Sequence, residues 1–169
     1  MDWSLLPSWY PAALSGGLGL IIGSFLNVVV ARLPGQSSLL KPASHCPHCK
    51  TALRWRDNVP VLSYAALGGK CRSCRAPISI RYPIIELLTG LLFLAAHLKH
   101  GLDPVMLVRD FPFLAILIAV TFIDLEHRII PDTLSLGGMA LGLVTSPWAR
   151  DLSILQSVLG AFFGFGMFY

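Results

Sequence analysis

The sequence predicts an all-α polytopic membrane protein that carries one small cytoplasmic zinc-binding domain. Three observations support this fold class. First, 54% of the 169 residues are hydrophobic and only 13% are charged, whereas about a quarter of the residues in a soluble domain are charged. Second, several uncharged stretches are long enough to cross the roughly 30 Å of hydrocarbon in a bilayer. Third, most basic residues and all four cysteines gather in one loop.

The first predicted membrane helix covers residues 12–31, a run of twenty residues without a charge. Gly19 and Gly23 form a Gly-x-x-x-Gly step, which favours close packing against another helix. The stretch before the helix contains Asp2 and no Lys or Arg, so it lacks the basic start of a cleavable signal peptide. Residues 1–33 are therefore predicted to be a membrane helix with an outer N-terminus.

Residues 34–82 are predicted to form a cytoplasmic domain. The stretch 32–82 holds nine of the thirteen Lys and Arg residues and one acid, Asp57, whereas the rest of the chain has four basic residues and eight acids. Loops with an excess of Lys and Arg stay on the cytoplasmic side of a membrane. The asymmetry therefore indicates orientation in a lipid bilayer rather than a nucleic-acid-binding surface.

The cytoplasmic domain contains two Cys-x-x-Cys pairs separated by 21 residues. Because cytoplasmic loops are kept reduced, metal binding is favoured over disulfides. Two such turns deliver the four thiolates that Zn²⁺ prefers, and a shell closed by four protein ligands makes the metal structural. Iron in a rubredoxin-like site and a redox-active dithiol are the chemical alternatives, and His45 and His48 are expected to be bystanders. The predicted zinc ligands are Cys46, Cys49, Cys71 and Cys74.

A weak internal repeat runs through the predicted zinc domain. Cys-x-x-Cys-Lys-x-x-Leu begins at Cys46, and Cys-x-x-Cys-Arg-x-x-Ile begins at Cys71. Each half resembles a zinc knuckle, a turn that presents two thiolates to one metal, followed by a short strand. The stretch 61–67 between the halves fits either a short helix or a short strand.

Residues 83–169 are predicted to form a helical bundle of about four further spans. The polar stretches between them alternate sides of the membrane, so that 99–110 lies outside and 126–132 lies in the cytoplasm. The last apolar stretch has no polar flank before Tyr169, so the bundle is expected to continue beyond this residue, with an ordinary terminal helix as the alternative. The four spans are predicted to begin near Pro83, Phe111, Thr133 and Leu152.

Asp124 is the acidic residue best placed for chemistry. It lies thirteen residues after Phe111, or roughly 20 Å along a helix, which is still within membrane depth. An ionisable residue at that depth indicates function, although a shorter or tilted span would place it at the interface. A peptidase that activates water with carboxylates needs two of them, one ionised and one protonated. Asp124 therefore requires a partner from another helix.

The other carboxylates have competing structural explanations. Glu126 is two positions after Asp124 and so faces a different side of the helix. Asp132 is expected to cap the N-terminus of the next helix. Glu86, one turn into the second span, is the other acid at similar depth and could pair with Arg81 or another basic residue. Asn27, a polar residue in the first span, is expected to join helices rather than to take part in catalysis.

Four motifs in order resemble those of bacterial type IV prepilin peptidases, over residues 16–142. The run Gly-Ser-Phe-Leu-Asn-Val-Val-Val-Ala-Arg-Leu-Pro at 23–34 resembles the first-helix signature of that family. The paired Cys-x-x-Cys motifs resemble its cytoplasmic loop. Arg-Tyr-Pro at 81–83 with Glu86 resembles the entry to its second helix, and residues 122–132 resemble the segment with its first catalytic aspartate.

The resemblance implies a bacterial inner-membrane aspartic peptidase of the Gly-x-Gly-Asp class. Such enzymes remove the basic leader of type IV prepilins or type II secretion pseudopilins on the cytoplasmic side, after a glycine. The resemblance also implies N-methylation of the new N-terminus with S-adenosylmethionine, for which the sequence offers no readable motif and no assigned residues. Asp124 matches the first catalytic aspartate.

The chain departs from the family pattern in one respect. The second aspartate of the family follows a Gly-x-Gly motif in a later helix, and no Gly-x-Gly-Asp occurs in these 169 residues. The chain alone is therefore expected to be nearly inactive as a peptidase. The alternative hypothesis is a non-catalytic membrane module whose zinc loop binds leader peptides or secretion partners.

Overall fold

The computed structural model describes Pro7 and residues 9–101, 105–148 and 153–168. This part of the chain is mostly helical, as predicted. Short 3₁₀ segments occur at Trp55–Asn58 and Ser146–Trp148, and a π-helical turn covers Met106–Asp110. Its α-helices are α1 (Tyr10–Arg32), α2 (Leu62–Ala66), α3 (Arg81–His100), α4 (Phe111–His127), α5 (Asp132–Thr145) and α6 (Ile154–Phe168).

Two of these helices are long and apolar enough to cross a membrane. They are α1, with 23 residues, and α3, with 20. The helices α4, α5 and α6 have 17, 14 and 15 residues. Each of the five predicted spans thus corresponds to a helix, but the last three are shorter than the two before them. The sequence positions Asp2, 102–104, Leu152 and Tyr169 lie outside the described residues.

The boundaries of α3 differ slightly from the prediction. The helix begins at Arg81, two residues before the proline expected to open it. Pro83 occupies the third position, where a backbone N–H would have no intrahelical partner, so proline is tolerated there. At the other end the helix stops at Gly101, whose φ of 73° is accessible to glycine at little cost.

Two glycines of α1 bring α1 and α3 into backbone contact. A Cβ atom on Gly19 would lie 2.7 Å from the carbonyl oxygen of Thr89, and one on Gly23 would lie 2.7 Å from the Cα of Glu86. Real Cβ atoms do not approach other atoms so closely, so both positions require glycine. The close packing predicted from the Gly-x-x-x-Gly step is therefore present, and α3 is the partner helix.

The variant Gly19→Ala tests this contact. The added methyl group meets the backbone of α3, which cannot rotate away as a side chain would, and overpacking of this kind costs roughly 1–3 kcal/mol. We expect a lower midpoint of thermal unfolding in detergent. Gly17→Ala is the matched control, because a Cβ there meets nothing within 4 Å. Equal midpoints for the two variants would contradict the account.

The helices α1, α3 and α4 share one apolar core. Val30 of α1, Ile85 of α3 and Ile123 of α4 are fully buried at its centre. A second contact stacks the rings of Phe93 and Phe111, with centroids 4.0 Å apart, so the start of α4 is held against the later part of α3. This core fixes the end of α4, which carries the candidate aspartate, beside the ends of α1 and α3.

Candidate functional site

The two halves of the zinc domain fold alike, as the sequence repeat predicts. In the first half the N–H of Cys46 donates to the carbonyl of Thr51 (3.0 Å), and the N–H of Lys50 donates back to the carbonyl of Cys46 (2.9 Å). The equivalent hydrogen bonds in the second half, 25 residues on, measure 2.8 and 3.0 Å. Lys50 and its counterpart Arg75 also share a positive φ, 57° and 62°. Each turn therefore directs its two thiols to the same side.

The expected strands are smaller than predicted. Each half contains a single antiparallel bridge, His45 with Ala52 and Lys70 with Pro77, rather than a strand. The stretch between the halves, which the sequence left open, contains the short helix α2. The domain therefore has little regular structure of its own.

The four predicted cysteines come together in one cluster. Their Sγ atoms all lie within 4.8 Å of one another, and those of Cys46 and Cys74 are 3.8 Å apart. The thiols are free rather than joined in disulfides. A tetrahedral zinc ion with sulfur ligands at about 2.3 Å has sulfur–sulfur edges of about 3.8 Å. The cluster therefore fits zinc in number, type and spacing of ligands.

The thiols of the cluster differ in acidity. Hydrogen bonds from the side chain and backbone of Thr51 lower the pKa of Cys49 to about 6. The Ala76 N–H lowers the pKa of Cys74, but desolvation and the three neighbouring thiols outweigh it and raise the value to about 11. Four interacting thiols lose their protons in steps that belong to the cluster. Zinc bound at this cluster would hold all four cysteines as thiolates, because zinc takes thiolates as ligands.

An ion pair joins the two halves of the zinc domain. Asp57 accepts a hydrogen bond from Nε of Arg72 (2.8 Å) and contacts its Nη2 at 2.7 Å. The hydrogen bond from Arg72 lowers the pKa of Asp57. The single acid of this basic stretch therefore has a structural partner and is ionised at neutral pH.

A cleft of about 540 Å³ lies between the zinc domain and the ends of α1, α3 and α4. Its size is in the range of small-molecule sites. His45 and His48 line it and stand outside the cysteine cluster, and their role as bystanders to a metal stays a prediction. The aromatic and acidic lining was not predicted from sequence, since its members come from separate motifs. These residues are Tyr64, Tyr82, Asp57, Glu86 and Glu126.

Polar contacts join three helix ends at the floor of the cleft. Asn27 of α1 donates from Nδ2 to the carbonyl oxygen of Tyr82 in α3 (3.1 Å), which is the helix-joining role predicted for it. Arg81 of α3 forms an ion pair with Glu126 of α4. The suggested pairing of Arg81 with Glu86 is therefore wrong, because Arg81 reaches across to α4 while Glu86 faces the zinc domain.

Asp124 lies near the C-terminal end of α4, on a different side from the cleft. Its side chain is exposed, and within the described residues no hydrogen bond or ion pair involves its carboxylate. Its carbonyl accepts the N–H of Arg128 (2.8 Å) where the helix ends. Glu126 is two residues on, about 200° around the helix, and turns toward Arg81. Asp124 is thus directed away from the α1–α3 pair.

Asp132 does not occupy the capping position predicted for it. The helix α5 begins at Asp132 itself, and Pro131 stands at the N-cap. A carboxylate in the first turn is still favourable beside the positive end of the helix dipole. Asp132 is therefore still placed to stabilise the start of α5, but from the first helical position rather than from the N-cap.

Comparison with known proteins finds two matching family models in succession. The model of the Bacterial Peptidase A24 N-terminal domain matches residues 18–100, and that of the Type IV leader peptidase family matches residues 111–169. The first covers α1 from residue 18, the zinc domain and α3, and the second covers α4 to α6. No solved structure matches the chain.

Individual relatives agree with these models. The chain is 43% identical to a prepilin leader peptidase/N-methyltransferase of Myxococcus xanthus, over 98% of this chain and 50% of that protein. It is 41% identical to a type 4 prepilin-like proteins leader peptide-processing enzyme of Escherichia coli, over 95% of this chain and 67% of that protein. A prepilin leader peptidase/N-methyltransferase of Burkholderia pseudomallei is 38% identical, over 96% of this chain and 60% of its own length. The chain thus spans between half and two thirds of these relatives.

Proposed function

The chain belongs to the bacterial type IV prepilin leader peptidase family, and from this premise we propose that it supplies one half of a membrane aspartic peptidase. The substrate is the leader of a type IV prepilin or a type II secretion pseudopilin. The observation that carries the proposal is the position of Asp124, a carboxylate without a partner among the described residues, at the end of a helix whose opposite side is fixed by a packed core. Processing of a prepilin by the full-length protein tests it.

The peptidase reaction requires a second carboxylate opposite Asp124. We place it in a segment outside these 169 residues, in line with the greater length of the relatives. The ionised carboxylate of the pair accepts a proton from water as the water attacks the scissile carbonyl. The protonated carboxylate donates its proton to the carbonyl oxygen, and the pair then exchanges roles as the leaving amine departs. The exposed side of α4 around Asp124 leaves room for this partner.

Zinc has a structural role in the proposal. The thiolates of Cys46, Cys49, Cys71 and Cys74 close the coordination shell and leave no position for a substrate. The metal instead folds residues 34–82, which contain little apolar core. Its contribution to the reaction is to hold the walls of the cleft, which the zinc domain shares with the helix ends.

The cleft is the proposed site of the methyl donor, S-adenosylmethionine, which supplies an electrophilic methyl group bound to a sulfonium cation. One feature of this structure suits a cation of that kind. Tyr64 lines the cleft with an aromatic ring, and aromatic faces attract cations. The cleft is also separate from Asp124, so the peptidase and methyl-transfer steps would use different sides of α4.

The orientation in the bacterial inner membrane follows from charge. With nine basic residues against one acid in 32–82, the zinc domain and the end of α4 face the cytoplasm, and 99–110 faces outward. We expect an impermeant maleimide added to intact spheroplasts to label His100→Cys but not Ala65→Cys. Both positions are exposed in the structure, so labelling reports the side of the membrane. The reverse pattern would place the active site on the wrong side.

A further inference from the structure

Glu86 is a buried acid with no part in the zinc site or in the proposed aspartate pair. It is only 8% exposed and lies in α3, a helix long enough to span the membrane. Its Oε2 atom accepts the backbone N–H of Val61 at 2.7 Å, and its Cα lies against Gly23 of α1, where an added Cβ would come within 2.7 Å of it. Glu86 therefore connects the contact between α1 and α3 to the zinc domain.

The backbone that Glu86 holds is strained. Val61 has φ 60° and ψ −48°, a conformation that β-branched residues rarely adopt. The N–H of Leu62 bonds to the carbonyl of Pro60 around it, which makes a γ-turn of the uncommon kind with positive φ at its centre. Such a turn persists only when surrounding contacts impose it. The hydrogen bond from Val61 to Glu86 is a contact of this kind.

The strained turn sets the position of one wall of the cleft. The helix α2 begins directly after Val61, and its Ser63 and Tyr64 line the cleft. The ring of Tyr64 in turn packs over Gly69, where a Cβ would lie 2.9 Å from the Tyr64 hydroxyl oxygen. Gly69 lies two residues before Cys71, the first cysteine of the second knuckle. Contacts therefore run from α3 through Glu86 and α2 to the cysteines of the second half.

We infer that Glu86 is a positioning residue, which docks α2 of the zinc domain on the α1–α3 pair and so fixes that wall of the cleft. Glu86 lies opposite Gly23, where the backbones of α1 and α3 are in contact. The backbone that carries its side chain is therefore held rigidly. Only the link between docking and catalysis rests on the proposed function. The docking itself is a property of the described residues.

Hydrogen exchange of the full-length protein in lipid nanodiscs tests the inference. In Glu86→Ala the acceptor is lost, and we expect the amides of 61–67 to exchange at least tenfold faster while the zinc content is unchanged. In Glu86→Gln the side chain has the same length and keeps an oxygen acceptor. We therefore expect the amides of 61–67 to be protected nearly as well as in the unchanged protein. Glu86→Asp keeps the charge but is one methylene shorter, so it should behave as the alanine variant does. The aspartate variant therefore gives a second reading if the alanine variant folds poorly.

Two further variants separate docking from general damage to the helix pair. Thr89→Ala alters the same buried interface one turn along α3, where the hydroxyl bonds only within its own helix, and should leave exchange of 61–67 unchanged. Val61→Gly removes the strain, so the double variant Glu86→Ala/Val61→Gly should regain part of the protection.

The inference would be overturned if the amides of 61–67 exchanged at the unchanged rate in both Glu86→Ala and Glu86→Asp. It would also be overturned if Thr89→Ala accelerated their exchange as much as Glu86→Ala does. Loss of zinc together with faster exchange in Glu86→Ala would overturn it as well. Because exchange is measured whether or not the protein cleaves a leader, failure of the docking and failure of the proposed function can be told apart. In protein that does cleave, release of α2 should raise KM more than it lowers kcat.

Discussion

The variant Asp124→Asn in the full-length protein loses leader cleavage, with a rate reduced by roughly 10³-fold or more. Asparagine has nearly the shape of aspartate, but it can neither accept a proton from water nor return one to the leaving amine. A pair with one carboxylate cannot divide the roles of acid and base. Cleavage of a synthetic prepilin by the purified protein, followed by chromatography of the products, measures the loss.

A matched substitution at the other end of the same helix serves as the control. Asp110→Asn makes the same chemical change at the start of α4, where the carboxylate pairs with Arg109 far from the proposed site. This variant should keep most of the cleavage activity, and both variants should keep their zinc. Cleavage by Asp124→Asn within a few-fold of the unchanged protein would remove Asp124 from the mechanism.

Replacing Cys71 with Ser unfolds the zinc domain. Cys71 is buried, and a serine hydroxyl is a poor ligand for a metal that selects thiolates. In small metal domains the binding free energy, of order 10 kcal/mol, is also the folding free energy, and residues 34–82 have little apolar core to replace it. We expect the variant to lose stoichiometric zinc, measured by elemental analysis, and to be cut by protease within this domain.

The variant His48→Ala provides the comparison for the cysteine. His48 lies between two ligands in the first knuckle and yet stands outside the sulfur cluster, so its removal should leave zinc content and protease resistance unchanged. If Cys71→Ser retained one zinc per chain and an intact domain, the metal would not be what folds it. Loss of zinc in His48→Ala would instead add a histidine to the ligand set.

The parts of the structure that could be predicted are those set by short-range patterns. The Cys-x-x-Cys turns repeat with the same hydrogen bonds because each turn is local, and 21 intervening residues suffice to bring them together. The contact of α1 with another helix followed from the spacing of Gly19 and Gly23, since this spacing places both on one face. Asn27 joined helices as expected, because a polar side chain in an apolar helix seeks a partner.

The parts that could not be predicted depend on which distant residues meet. Arg81 and Glu126 are 45 positions apart, and nothing in either motif distinguishes this pairing from the alternative with Glu86. The positive φ of Val61 could not be predicted from the sequence either, because β-branched residues such as valine rarely adopt a positive φ. The acceptor that stabilises this turn lies on another element. The cleft, which is lined by all of these elements, could not be recognised before they were assembled.

The most direct measurement of the central claim is the mass of a pilin subunit after incubation of its precursor with the full-length protein in lipid. We predict a product that lacks its leader, begins at the residue after the leader's glycine, and gains the mass of one methyl group when S-adenosylmethionine is present. A precursor that is bound but neither shortened nor methylated would contradict the account and favour the non-catalytic zinc module.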